Sequence, residues 1–237
     1  MVVMQRASEL PEISPAPGML EIVRQFVNTL DIESGTDELD SPGALLGWLD
    51  KSGLGGLGRD AHPGGPVTEA DLALAVSLRE ALRGVLSWHV TAGNEPDGSA
   101  SPDRAGGRAG PAVAAAELRK AAAPLRIRFE ISDEGQVAAA PDGSGVTPDL
   151  ARILLIAGEA ATTGTWSRLK VCSAADCQWA FYDRSPTRTG CWCSMRVCGS
   201  RAKSRAYRRR AGGRAQAEGQ LGDVTMLSSR TGTAIVR

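Results

Sequence analysis

Apolar side chains recur at helical spacing near the start of the chain, at Met19, Leu20, Ile22, Val23, Phe26, Val27 and Leu30. They predict a first amphipathic helix. Ser41-Pro42 reads as an N-cap followed by a proline in the first turn, with Leu45, Leu46 and Leu49 as the buried stripe of a short second helix. Glycines between Gly53 and Gly65 predict a loop. Thr68, with Asp71 three residues on, resembles a capping box. It opens a long helix through Leu72, Leu78, Leu82, Val85 and Leu86 that stops near Gly93.

Residues 94–110 offer almost nothing to bury and predict a flexible surface loop. An alanine-rich helix follows over 112–123. Leu125, Ile127, Phe129 and Ile131 then alternate with Arg126, Arg128 and Glu130, the pattern of a half-buried strand. Asp133-Glu134-Gly135 turns it back as a hairpin along Gln136 to Ala140. Thr147-Pro148 starts another helix, with Leu150, Ile153, Leu154 and Ala157 facing inward. The chain therefore reads as α+β: a mostly helical N-terminal domain with one small hairpin, and a separate C-terminal module. The expected boundaries are an N-terminal arm over 1–17, the helical domain over 18–165, the module over 166–213 and a mobile tail over 214–237.

Composition changes this picture in two ways. Aromatics make up only 4% of the chain, so Leu, Val, Ile and Ala must fill the core. The formal net charge of zero conceals a division. Residues 1–165 hold 13 Lys and Arg against 23 Asp and Glu, whereas 166–214 hold 12 against only Asp176 and Asp183. Such asymmetry suggests an acidic body carrying a module that seeks polyanions. No stretch is long and apolar enough to span a bilayer, and Met1 to Pro11 lacks the apolar segment of a signal peptide, so a cytoplasmic protein is expected.

All five cysteines fall between 172 and 198, and their odd number and tight clustering suggest a metal before disulfides. Cys172-x4-Cys177 and Cys193-x4-Cys198, fifteen residues apart, are two close pairs of the kind that fold around one tetrahedral zinc ion. Four thiolates would fill the coordination sphere and leave no place for water or substrate, which makes the ion structural. An iron–sulfur cluster or redox thiols are the alternatives. Cys191 is a rival donor two residues ahead of Cys193; the symmetry of the pairs favours Cys193, and spacing alone leaves a swap open.

Trp179, Phe181 and Asp183 alternate with Ala180 and Tyr182 as a short strand, which ends in the basic turn Arg184 to Gly190. Ser194 to Arg210 then predicts a helix halting at Gly212-Gly213. Knuckle, hairpin and helix together make a treble-clef-like finger. Arg201, Arg205, Arg208 and Arg209 share one face of that helix, with Lys203 and Arg210 beside it. With Arg184 and Arg188 on the turn, Arg201, Lys203, Arg205, Arg208 and Arg209 are the candidate nucleic-acid contacts, suited to phosphates and guanine edges of double-stranded DNA.

The stretch Cys172-x4-Cys177-x-Trp179-x-Phe181-x-Asp183-Arg184-Ser185, continued by Trp192-Cys193-Ser194-Met195 and Val197-Cys198-Gly199-Ser200-Arg201-Ala202-Lys203, resembles the CGNR-type zinc fingers. Phe26-Val27-Asn28-Thr29-Leu30 is similar to the opening of the ABATE domain, which precedes such fingers in stress-induced bacterial transcription regulators. The resemblance implies DNA binding and transcriptional control, with the N-terminal domain sensing a small-molecule or protein effector. Two positions depart from the family pattern: Ser200 stands where its asparagine is usual, and Cys191 where a basic residue is usual.

Catalysis is not expected. His62 and His89 are the only histidines, and no phosphate-binding glycine loop, HExxH or nucleophile elbow is present. The rival readings are an RNA-binding protein that stacks bases on exposed rings among Trp179, Tyr182, Trp192 and Tyr207, with Trp179 and Trp192 expected in the core of the finger, and a protein-interaction module whose zinc is purely structural.

Overall fold

The computed structural model describes residues 14–54, 65–92 and 110–210. The expected loops around His62 and over 94–109, the halt at Gly212-Gly213 and the C-terminal tail lie outside the described residues.

Helix α1 (Leu20–Val27) buries Leu20, Val23, Phe26 and Val27, the inner stripe that its spacing foretells. A two-residue hairpin follows, β1 (Leu30–Asp31) against β2 (Thr36–Asp37). In α2 (Pro42–Lys51), Ser41 Oγ accepts from the Ala44 amide at 3.2 Å, so one otherwise unpaired amide of the first turn is satisfied. Trp48 on its inner face packs at 5.2 Å between ring centroids on Phe26. The capping box of α3 (Glu69–Ala92) forms as the sequence implies. The Thr68 amide donates to Asp71 at 2.9 Å, and the Asp71 amide donates to Thr68 Oγ1 at 3.3 Å.

Helix α4 (Pro111–Ala122) lies along α3, where Gly84 faces Ala114. Strands β3 (Arg126–Ile131) and β4 (Val137–Asp142) pair antiparallel from Arg126↔Asp142 to Ile131↔Val137. The hairpin is where expected, but β3 is not half-buried: all six of its residues are exposed. Alternation along a strand signals two unlike faces, and it is silent on whether anything covers the apolar one. Helix α5 (Thr147–Thr162) buries Leu150, Ile153, Ile156 and Ala160. A single turn of 3-10 helix (Trp166–Arg168) leads into β5 (Leu169–Val171), which pairs antiparallel with β6 (Ala180–Tyr182).

One hydrophobic core unites helices α1 to α5 with β5 and β6. Leu169, Val171 and Ala180 belong to the same buried cluster as Phe26, Leu49, Leu82 and Leu150. The architecture is α+β, built of helices and two-stranded antiparallel hairpins.

Two arginines on the inner face of α3 are buried with their charge, which requires close partners. Arg79 forks onto the Asp37 carboxylate at 2.6 and 2.9 Å and reaches Thr29 Oγ1 at 3.2 Å, tying α3 to the β2 strand and the end of α1. Arg83 donates to Glu80 and to the carbonyls of Val27 and Gln178.

The chain divides into two compact units between Cys193 and Ser194. In the second, Ser194 Oγ accepts from the Val197 amide at 3.3 Å and opens a π-type turn, Met195–Gly199. Helix α6 continues it over 200–210.

Candidate metal centre and basic surface

Strand β5 delivers Cys172 directly from the core, and the Cys172 amide donates to the Trp179 carbonyl at 2.9 Å. Between them the chain turns tightly. The amides of Cys177 and Gln178 both donate to the Ala174 carbonyl at 3.0 Å, and Gln178 takes a left-handed φ of 48°. The Ser173 amide donates to the Cys191 carbonyl at 2.9 Å, which brings the second cysteine segment alongside the first.

The Sγ atoms of Cys172, Cys177, Cys193 and Cys198 lie within 4.8 Å of one another. Cys177 and Cys193 are 3.6 Å apart at sulfur, too far for a disulfide bond of about 2.05 Å. A tetrahedron with Zn–S distances of about 2.3 Å has edges of about 3.8 Å, so the spacing suits a metal. Four thiols and no carboxylate, three of them buried and Cys193 half-buried, form the closed sulfur set of one structural zinc. Cys191 is not a member of this quartet.

Three side-chain arrangements anchor the strands and the turn that flank the first knuckle. Lys170, only 1% exposed, extends Nζ to Asp183 Oδ2 at 2.8 Å and also donates to the carbonyls of Arg188 and Gly190. Asp183 further accepts from the amides of Ser185 and Gly190. Burial pushes the Asp183 carboxyl up, but the hydrogen bond and charge of Lys170 and the Ser185 amide outweigh it and hold the group below its usual range.

Asn28 is the second. Its Nδ2 donates to the Ala180 carbonyl at 2.9 Å and its Oδ1 accepts from the Ala180 amide at 2.7 Å, as a neighbouring strand would. The third is His89, whose Nδ1 meets the Leu169 carbonyl at 2.8 Å while its ring stands edge-on to Trp166. Burial lowers its pKa below the ordinary value.

Of the candidate nucleic-acid contacts, Arg184 and Arg188 are exposed on the turn that Lys170 and Asp183 secure, and Lys203, Arg208 and Arg209 are exposed on α6. Arg201 and Arg205 are half-buried. The open stripe of α6 is Ser200, Lys203, Ser204, Tyr207 and Arg208, at i, i+3, i+4, i+7 and i+8, with Tyr207 70% exposed. It is displaced from the Arg201, Arg205, Arg208 and Arg209 face that spacing singles out, with Arg208 common to both.

The paired amide of Asn28, the arginines of α3 and the Lys170–Asp183 pair escaped sequence reasoning. Lys170 carried a signal, a lone lysine between Leu169 and Val171 in a chain with few lysines. Asn28 carried a polar break in an apolar run, which did not reveal its partner.

Among the described residues, no helix is long and apolar enough to cross a membrane. Two family models match the chain. The one described as "Putative stress-induced transcription regulator", ABATE, covers residues 21–165, and the one described as "CGNR zinc finger" covers residues 168–211. Both are regulator or zinc-finger families rather than enzyme families. No curated protein matches.

Proposed function

The chain belongs to the ABATE family, described as "Putative stress-induced transcription regulator", and carries a CGNR zinc finger, and from that premise we propose that it is a cytoplasmic DNA-binding regulator. In this reading the zinc quartet steadies the finger, the basic residues meet duplex DNA, and the N-terminal part senses a small molecule or a partner protein.

The observation that carries the reading is the open stripe of α6. Lys203 and Arg208 are exposed there beside the hydroxyls of Ser200 and Ser204, and Arg196, Arg209 and Arg210 are exposed nearby. The helix grows from the turn that contains Cys198, so a metal bound by the quartet would stiffen its base. Fixed cations of this kind suit phosphate contacts, and an arginine can also address a guanine edge with two parallel hydrogen bonds. Arg184 and Arg188 add charge on a turn whose conformation is set by Lys170 and Asp183.

The sensing role is supported by the hydrogen bonds of Asn28 and Arg83. They join α1 and α3 to Ala180 and Gln178 in the first knuckle, so a shift of those helices would be felt beside the metal.

Binding of the zinc-loaded protein to duplex DNA across a salt series tests the proposal. With about six phosphate contacts, the logarithm of affinity should fall with the logarithm of salt at a slope of roughly −5. Lys203→Glu/Arg208→Glu should weaken binding and flatten that slope by about two, with zinc content unchanged. Absence of binding by the intact zinc-loaded chain would end the DNA reading.

The exposed ring of Tyr207 among the cations favours one rival, single-stranded RNA held by base stacking. Tighter binding to single-stranded RNA than to duplex DNA at matched salt, lost in Tyr207→Ala, would move the assignment there.

A further inference from the structure

The bend after Cys177 is held from outside the knuckle. Gln178 follows this zinc ligand and takes a left-handed φ of 48°, a conformation that residues with a Cβ rarely adopt. Local bonds account for part of the bend. The Gln178 amide donates to the Ala174 carbonyl at 3.0 Å, and Gln178 Nε2 donates to the Ala175 carbonyl at 3.1 Å. The Gln178 carbonyl takes no part in these. It accepts from Arg83 Nη1 at 3.0 Å, across 95 residues of sequence.

Arg83 can aim that bond because the rest of its guanidinium is already fixed. The side chain rises from α3 and is buried. Nε donates to Glu80 at 3.0 Å, and Nη2 donates to the Val27 carbonyl at the end of α1 at 2.6 Å. A planar fork anchored at two nitrogens holds the third in one direction, which a lysine ammonium on a flexible stem does not reproduce. The residues after Gln178 show what that direction decides. The Trp179 carbonyl accepts from the amide of the ligand Cys172 at 2.9 Å, and Asn28 pairs with Ala180 just beyond. Rotation of Gln178 out of the left-handed region would swing Trp179 away from Cys172 and so draw Cys172 and Cys177 apart.

We infer that Arg83 is a positioning residue for the zinc site, through which helix α3 sets how tightly the cysteine quartet holds its metal. Arg83 acts through the backbone. It keeps Gln178 left-handed, and with it the approach of Cys172 to Cys177 that one metal ion requires. Groups that orient ligands from outside the coordination sphere change metal affinity by about 10- to 100-fold. Arg79, one turn earlier on α3 and also buried, is the internal control, because its bonds go to Thr29, Asp37 and Glu80. The inference rests on zinc binding by the four cysteines and on no nucleic-acid contact, so it stands or falls apart from the DNA reading.

Zinc affinity of the full chain, measured by competition with a chelator of known strength, tests this, with circular dichroism to confirm folding. Arg83→Lys should weaken zinc binding about tenfold or more, while Arg79→Lys should change it less than about twofold. Arg83→Gln, which carries no charge into the interior, serves equally should Arg83→Lys not fold. Two substitutions at Gln178 isolate the backbone. Both lose the side-chain bond to Ala175, but glycine enters the left-handed region freely and valine resists it. Gln178→Val should therefore weaken zinc binding by a factor like that of Arg83→Lys, with α3 untouched. Gln178→Gly should stay within about threefold of wild type, and added to the Arg83 variant it should recover most of the lost affinity. Wild-type zinc affinity in the Arg83 variant or in Gln178→Val, or an equal loss in Arg79→Lys, overturns the inference. A double variant no tighter than the Arg83 variant alone overturns the route through Gln178.

Discussion

Asn28 shows how much one side chain can decide. An amide presents a donor and an acceptor side by side, the same pair that a strand edge offers, and Asn28 uses both on Ala180. The contact spans 152 residues of sequence and is buried. Removing the side chain leaves the amide and carbonyl of Ala180 without those partners where water does not reach. Asn28→Ala should therefore cost roughly 2–4 kcal/mol in urea unfolding. Asn28→Asp should be no better, because a carboxylate accepts but does not donate and brings a charge into the interior. A loss below about 0.5 kcal/mol in Asn28→Ala would mean that the knuckle strand is held by other contacts.

At the scale of the element, the turn between Asp183 and Gly190 is built from the inside. Lys170 projects from β5 and gathers the Asp183 carboxylate and the carbonyls of Arg188 and Gly190, so the strand sets the shape of the loop. Gly190 is required by proximity: a Cβ there would stand 2.8 Å from Asp183 Cγ and Oδ1. Gly190→Ala should push the carboxylate off Lys170. A buried ion pair that loses its geometry costs about 3–5 kcal/mol, measurable by denaturant unfolding. Gly158 in α5 is the contrast, since nothing lies within 4 Å of the Cβ it would carry. Gly158→Ala should stabilise the chain by about 0.5–1 kcal/mol. If both substitutions behave alike, the close approach at Gly190 does not govern the turn.

For the molecule as a whole, the zinc quartet joins two close cysteine pairs across the fifteen residues between Cys177 and Cys193, and closing that loop is entropically costly until a metal offsets it. Chelation should therefore lower the melting temperature and reduce helical signal. Direct metal analysis should find one zinc per chain in the wild type and in Cys191→Ser, and less than one in Cys193→Ser or Cys198→Ser. Full retention by Cys193→Ser with loss in Cys191→Ser would exchange the two cysteines in the donor set.

Much of this was written locally. The caps at Ser41 and Thr68, the helical stripes of α1 to α5, the hairpin at Gly135 and the four spaced cysteines each depend on residues a few positions apart, and the sequence alone determined them. What the tertiary structure decided is which of these surfaces are covered. Arg79, Arg83 and Lys170 are buried, because acceptors distant in sequence converge on them. The apolar side of β3 reads as half-buried yet stays open: all six residues of the strand are exposed. On α6, spacing defined an arginine face, while burial turned Lys203 and Tyr207 outward and half-covered Arg201 and Arg205. Periodicity fixes which side chains share a face. Only the packing of distant segments fixes whether that face meets protein or water.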